Sequence, residues 1–195
     1  MRGPDGRRRC FWSISTADYM DYHDFEWGVA VRDDRGIFER LSLEAFQSGL
    51  SWLTILRKRA AFRRAFADFE PTKVAAFNAR DIKRLLADSG IVRNRAKIEA
   101  TIANARATAS MPIGLAEFAW SFAPAGRRRA PRTRSDISAS TPESAALAKA
   151  LKSAGFRFVG PTTAYALMQA CGLVDDHLVG CWRRGADRPS ATNAL

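Results

Sequence analysis

The sequence predicts an all-α protein. Three observations carry this reading. Apolar residues recur at helical spacing along most of the chain, no segment alternates as a half-buried strand would, and Ser, Thr, Pro and Gly fall where helices begin and end. Residues 1–9, MRGPDGRRR, read as a flexible basic arm. The first clear stripe is Ile37, Phe38, Leu41, Ala45 and Ser48, with a period near 3.6. Gly49 interrupts it, and Ser51 is placed to cap a second helix expected to reach about Phe69. Arg57, Lys58, Arg59, Arg63 and Arg64 are assigned to the exposed face of that helix. Short helices are expected at about 71–78, opened by Pro71, and at 80–88, with Asp81 in the first turn and Gly90 past the end. Another is expected over about 94–109, and a short apolar one over GLAEFAWSF, 114–122.

The texture then changes. Residues 123–140, APAGRRRAPRTRSDISAS, carry no helical stripe and read as a long basic loop. Order returns with Thr141 as N-cap, Pro142 at the first helical position and Gly155 past the end. The last helix is expected to open near Pro161 and run through TTAYALMQACGL. No internal repeat is visible. A chain of 195 residues suits one domain, drawn here over 10–184, with 185–195 as a flexible tail.

Composition narrows the function classes. With 47% hydrophobic and 26% charged residues, the chain is globular and not disordered. Lys and Arg outnumber Asp and Glu by 31 to 20, and most of the excess is arginine, whose planar fork matches phosphate oxygens. An arginine-rich genome writes the same charge without any such partner, and charge alone does not separate the two. Three cysteines, Cys10, Cys171 and Cys181, are an odd number and argue against a disulfide framework. No apolar run reaches membrane-spanning length, and no leader is readable in MRGPDGRRRC. The expectation is a soluble protein of a reducing compartment, the cytoplasm.

The side chains that carry chemistry are few. His23 and His177 are the only histidines. His177 and Cys181 are four residues apart, one helical turn, and Cys10 and His23 form a second pair across a loop. Two thiolates and two imidazoles complete a tetrahedral zinc shell with no open position, which is structural and not catalytic. Two unrelated His–Cys neighbours in a core are the plainer alternative; using both histidines and two of three cysteines favours the metal. Cys171, inside LMQACGL, reads as a packed core thiol.

Other features gain meaning by position. In RFVGPTTA, Gly160 permits a tight turn and Pro161 opens a helix, and the free N–H groups there, with Thr162 and Thr163, suit a phosphate. Arg93, Arg95 and Lys97 and the Arg57–Arg59 cluster are candidate further phosphate contacts, or simply a solvated face. Trp12, Tyr19, Tyr22 and Trp27 crowd one short span, followed by Trp52, and such density serves either a core or a pocket. Glu44 falls on the inward stripe of the 37–48 helix, where a carboxylate is costly without a partner; the alternative is a stripe-edge Glu reaching solvent. Leu50, between Gly49 and Ser51, is an apolar residue at an exposed kind of junction, a candidate wedge side chain.

CFWSISTADYMDYHDFEWG, LEAFQSGLSWLTILRKR, GIVRNRAKIEATIANA and GFRFVGPTTAYALMQACGLVDDHLVGC resemble the bacterial DNA-3-methyladenine glycosylase I family, a zinc-bearing branch of the helix-hairpin-helix glycosylases. The resemblance runs from about Cys10 to Cys181. It implies a compact helical domain in which one structural Zn2+ per chain, held by Cys10, His23, His177 and Cys181, joins the N- and C-terminal segments. It places the base-contacting glutamate on Glu44, stacking aromatics on Tyr22 and Trp52, and further pocket aromatics on Trp12, Tyr19 and Trp27. Gly160, Pro161, Thr162 and Thr163 fall on the DNA-backbone hairpin. The implied activity is base excision repair: flipping 3-methyladenine out of alkylated double-stranded DNA and hydrolysing its glycosidic bond, with free 3-methyladenine as product. Helix 161–173 has no lysine where bifunctional relatives place a Schiff-base nucleophile, so no lyase step is expected. A nucleoid-associated monomer is the expected working form. The competing readings are a non-enzymatic zinc-containing DNA-binding module and a glycosylase for another damaged base.

Overall fold

The computed structural model describes residues 1–126 and 129–186. Most of the proposed tail, together with Arg127 and Arg128 of the basic loop, lies outside the described residues. The described residues form nine α-helices and no strand: α1 Ala17–Phe25, α2 Asp34–Gln47, α3 Trp52–Ala65, α4 Pro71–Ala75, α5 Ala79–Ala87, α6 Arg95–Ala109, α7 Leu115–Trp120, α8 Pro142–Ser153 and α9 Pro161–Ala170. The all-α expectation holds. Two compact units are formed: one from Met1–Val31, Ala123–Ser138 and the segment from Met168 onward, the other from Arg32–Phe122 and Ala139–Leu167.

In the larger unit the helices start where the sequence supplies acceptors for their orphan N–H groups. Asp33 accepts from the Gly36 N–H at 2.8 Å, Ser51 from Thr54 at 3.2 Å and Asn94 from Lys97 at 3.1 Å. Reciprocal capping boxes open α5 (Asn78 with Asp81) and α8 (Thr141 with Ser144). The core is a cluster of Phe38, Phe46, Phe62, Phe66 and Phe69, all fully buried. Their ring centroids lie 4.7 Å apart for Phe46 and Phe62 and 5.5 Å for Phe66 and Phe69. Burying each such ring contributes about 1.5–3 kcal/mol. Helix α6 packs on α2, α4 and α5.

Three expectations are corrected here. Helix α3 stops at Ala65 and not near Phe69, because Ala67, Asp68 and Phe69 all take positive φ, near +50 to +56°, a left-handed turn without a glycine. Arg59 is not on the exposed face: it is buried, and its Nε donates to Glu39 Oε1 at 2.8 Å, with Arg63 on the same carboxylate at 2.7 Å. Lys97 is no phosphate contact. Its buried ammonium donates to the Phe46 and Ser48 carbonyls, at 2.9 and 2.7 Å, at the C-terminal end of α2, where the helix dipole favours a cation.

Asn104 on α6 fixes the turn before α9. It is almost fully buried, donates from Nδ2 to the Arg157 carbonyl at 3.1 Å, and accepts the Arg157 N–H on Oδ1 at 2.7 Å. Asn104→Ala strands both backbone groups and is expected to cost about 1–3 kcal/mol. The check is a lower urea midpoint at unchanged slope.

In the smaller unit, residues 1–9, read from composition as a flexible arm, include a buried Arg9 and an isolated Arg2–Arg8 bridge. Helix α9 ends at Ala170, short of the expected Leu173. Gly172 takes φ +75, and a Cβ there would stand 2.7 Å from the Gly28 carbonyl oxygen, so the chain turns where only glycine fits. Cys171 is buried, as expected of a core thiol.

Candidate functional site

The smaller unit brings together the four residues picked from spacing. The ligand atoms of Cys10, His23, His177 and Cys181 all lie within 4.8 Å of one another, and all four residues are buried. Cys181 Sγ is 3.4 Å from His23 Nε2 and 3.6 Å from His177 Nδ1, and Cys10 Sγ is 3.7 Å from His177 Nδ1. A tetrahedron with ordinary zinc–sulfur and zinc–nitrogen bonds has edges of about 3.5 Å. The donor set and spacing therefore fit a four-coordinate metal ion. The Leu178 N–H donates to Cys10 Sγ at 3.4 Å, a bond that a metal-bound thiolate would also accept. The Cys181 thiol is held far below its ordinary range, first by hydrogen bonding with Cys10 and then by His177 and His23. The Cys10 thiol is pushed up by that same bond and by burial. The opposite shifts of the two thiols follow from their contact, and a divalent ion held between them would favour both as thiolates.

Around the imidazoles lie the aromatics of the first segment. The Trp12 ring centroid is 5.2 Å from His23, 5.0 Å from Tyr19, 6.4 Å from Tyr22 and 5.1 Å from Trp27. Trp27 stands edge-on to His177 at 4.7 Å. Tyr22 is buried, while Trp12, Tyr19 and Trp27 are half-buried. The metal cluster and the aromatic span are thus one packed body.

The residues missed from sequence are those behind His23. Asp24, the next residue, accepts from His23 Nδ1 at 2.8 Å, from Arg9 through Nε at 2.9 Å and Nη2 at 2.6 Å, and from Trp182 Nε1 at 3.1 Å. Burial opposes its ionisation, but these donors, Arg9 foremost, hold its carboxyl below the usual range. The only signal in the sequence was a carboxylate beside a candidate ligand.

In the larger unit, Glu44 lies inside α2 at 7% exposure and makes no hydrogen bond or ion pair with any described residue. Burial pushes its carboxyl up to about 8. Of the two positions left open by periodicity, it takes the inward one. Leu50 is 42% exposed in the α2–α3 turn, after Gly49 at φ +84, and Trp52, half-buried, is the first residue of α3. At the start of α9, Pro161 and Thr162 are exposed and Gly160 and Thr163 half-buried. No helix among the described residues is long and apolar enough to cross a membrane.

The family model for methyladenine glycosylases matches residues 12–184. DNA-3-methyladenine glycosylase 1 of Escherichia coli K12 is 46% identical over 189 residues, covering 93% of this chain and 99% of that protein. A crystal structure of a 3-methyladenine DNA glycosylase I superposes with a TM-score of 0.87 at 46% identity, covering 91% of this chain and all of the other. A tyrosine-to-phenylalanine variant of such an enzyme in complex with 3-methyladenine gives 0.86 at 35% identity, covering 92% of this chain and 99% of the other. With one family model spanning nearly the whole chain and a relative this similar from end to end, the chain belongs to the methyladenine glycosylase family.

Proposed function

We propose that this protein excises 3-methyladenine from alkylated DNA by hydrolysing the N-glycosidic bond, with residues 10–184 as its catalytic domain. The observation that carries the reading beyond family membership is Glu44, a buried carboxylate with no partner among the described residues. Proteins tolerate such a group where a ligand completes it. Methylation at N3 leaves adenine in DNA positively charged, so the base is already a good leaving group. A cation is what an unpaired buried carboxylate attracts, and Glu44 also accepts hydrogen bonds from the exocyclic amine edge.

Aromatic faces favour the same charge. Tyr22 and Trp52 are the proposed stacking residues, with Trp12, Tyr19 and Trp27 as further pocket walls. As the bond breaks, positive charge moves toward the sugar, and Glu44 stabilises it there while water completes the hydrolysis. Gly160, Pro161, Thr162 and Thr163, the turn and helix start of a helix-hairpin-helix, grip the DNA backbone without reading sequence. Leu50 is the proposed wedge filling the gap left by the flipped base. With no lysine in 161–173, the product is an intact strand with an abasic site.

Cys10, His23, His177 and Cys181 are the proposed zinc ligands. With four protein ligands the ion has no open position and serves as a cross-link holding this segment rigid. The proposed working form is a cytoplasmic monomer near the nucleoid.

The test is incubation with methylated double-stranded DNA and chromatography of the released bases. Free 3-methyladenine in excess of a no-enzyme control, without strand cleavage, is expected. Release of a different modified base alone, or tight DNA binding with no release, would overturn the proposal.

A further inference from the structure

We infer that Asp24 is a positioning residue for the metal centre: it fixes His23 in the tautomer that turns Nε2 toward the ion, and Arg9 and Trp182 hold Asp24 for that task. The inference rests on the metal reading above, and goes beyond it to the layer that orients the ligands.

His23 faces two ways. Its Nδ1 lies 2.8 Å from Asp24 Oδ1, and its Nε2 lies 3.4 Å from Cys181 Sγ inside the cluster. An ionised carboxylate only accepts hydrogen bonds, so Nδ1 carries the ring proton and the Nε2 lone pair is left for a metal. The carboxylate is itself fixed. Arg9 Nε reaches both its oxygens, at 2.9 and 3.0 Å, its Nη2 reaches Oδ2 at 2.6 Å, and Trp182 Nε1 adds a bond at 3.1 Å. On its outer side the Arg9 guanidinium is clamped by Asp5, with both contacts at 2.6 Å.

Charge supports the arrangement. Arg9 and Asp24 are each 4% exposed. A divalent ion with two thiolates is neutral, and Arg9 with Asp24 is neutral, so neither layer buries net charge. The two histidines are oriented by different means. His177 turns Nδ1 to the sulfurs, and its Nε2 lies against Gly28, where an added Cβ would stand only 3.0 Å away. Only His23 has a carboxylate behind it among the described contacts. The charge run at the start of the chain thereby acquires a function, since its last arginine completes the shell behind His23.

The experiment uses the full chain loaded with zinc. Competition with a chromophoric chelator compares wild type, Asp24→Asn and Trp182→Phe, and NMR follows the His23 Nδ1–H proton. Asp24→Asn keeps a hydrogen-bond acceptor but not its charge, and is expected to bind zinc 10–100-fold more weakly. Its Nδ1–H signal should move upfield and exchange faster with water. Trp182→Phe removes one donor to Asp24 and is expected to lose roughly 2–10-fold; it carries the test alone if Asp24→Asn does not fold. Variants that hold zinc as tightly as wild type, or that lose affinity with an unchanged His23 signal, overturn the inference. Wild type taking up no zinc would instead remove the metal reading beneath it.

Discussion

Stripping the proposed zinc ion from this protein with a chelator is expected to lower its melting temperature by roughly 8–16 °C. A ligand bound only by the folded state, present at about a thousand times its dissociation constant, stabilises by about 4 kcal/mol. For a chain of this size each kcal/mol moves the midpoint by about 2–4 °C. The effect should be large here because the proposed ligands close a very long loop: Cys10 and His177 are 167 residues apart in sequence. Removal also leaves two buried sulfurs beside two imidazoles with no cation among them. Readdition of zinc should restore the midpoint, with elemental analysis returning one ion per chain. An unchanged midpoint after verified removal would show that the cluster does not bear on stability.

Replacing Glu44 with glutamine is expected to act oppositely on stability and on activity. The folded-state pKa of Glu44 is raised to about 8 from an ordinary 4.5. Between those values the folded protein holds a proton that the unfolded chain has released. Stability therefore falls as pH rises through this window, by up to about 1.4 kcal/mol per pH unit. Glu44→Gln removes that slope. Near pH 4.5 the two proteins should be equally stable, and at pH 8 the variant should be the more stable by a few kcal/mol, read from denaturant midpoints.

Activity runs the other way. In the proposed mechanism the ionised form meets the cationic base, so kcat/KM for release of 3-methyladenine should rise with pH up to about 8 in the wild type. The Gln variant should be slower by on the order of 10²-fold and lack that rise. Undiminished release by Glu44→Gln would take Glu44 out of the mechanism.

What could be read from the sequence and what could not divides along physical lines. Caps were legible because Ser51, Asn94 and Thr141 offer a side-chain acceptor at a helix start, a local interaction that leaves a local mark. The cluster of Cys10, His23, His177 and Cys181 was legible because so few residue types bind a transition metal and this chain holds few of them. Periodicity left Glu44 either on the inward stripe or at its edge, and the family resemblance decided for the inward position.

The failures share a cause. Arg59 and Lys97 sit in charged stretches that look solvated, and their burial depends on partners far along the chain: Glu39 for one, the carbonyls of Phe46 and Ser48 for the other. Asp24 and Arg9 were invisible for the same reason, since a charge pair shows only when both halves are placed. The left-handed turn at Ala67–Phe69 has no glycine to announce it.

Lys97 has a consequence for the turn it serves. With its ammonium beneath the end of α2 and the Leu50 N–H bonded to the Gln47 carbonyl at 2.6 Å, the segment bearing Leu50 is braced in the unliganded protein. In the proposed wedge role, a side chain on so stiff a mount would forfeit little disorder on meeting a duplex, and its reach would be set in advance. Probing a base pair would then be a matter of rigid geometry against a deformable helix, with the DNA doing most of the yielding.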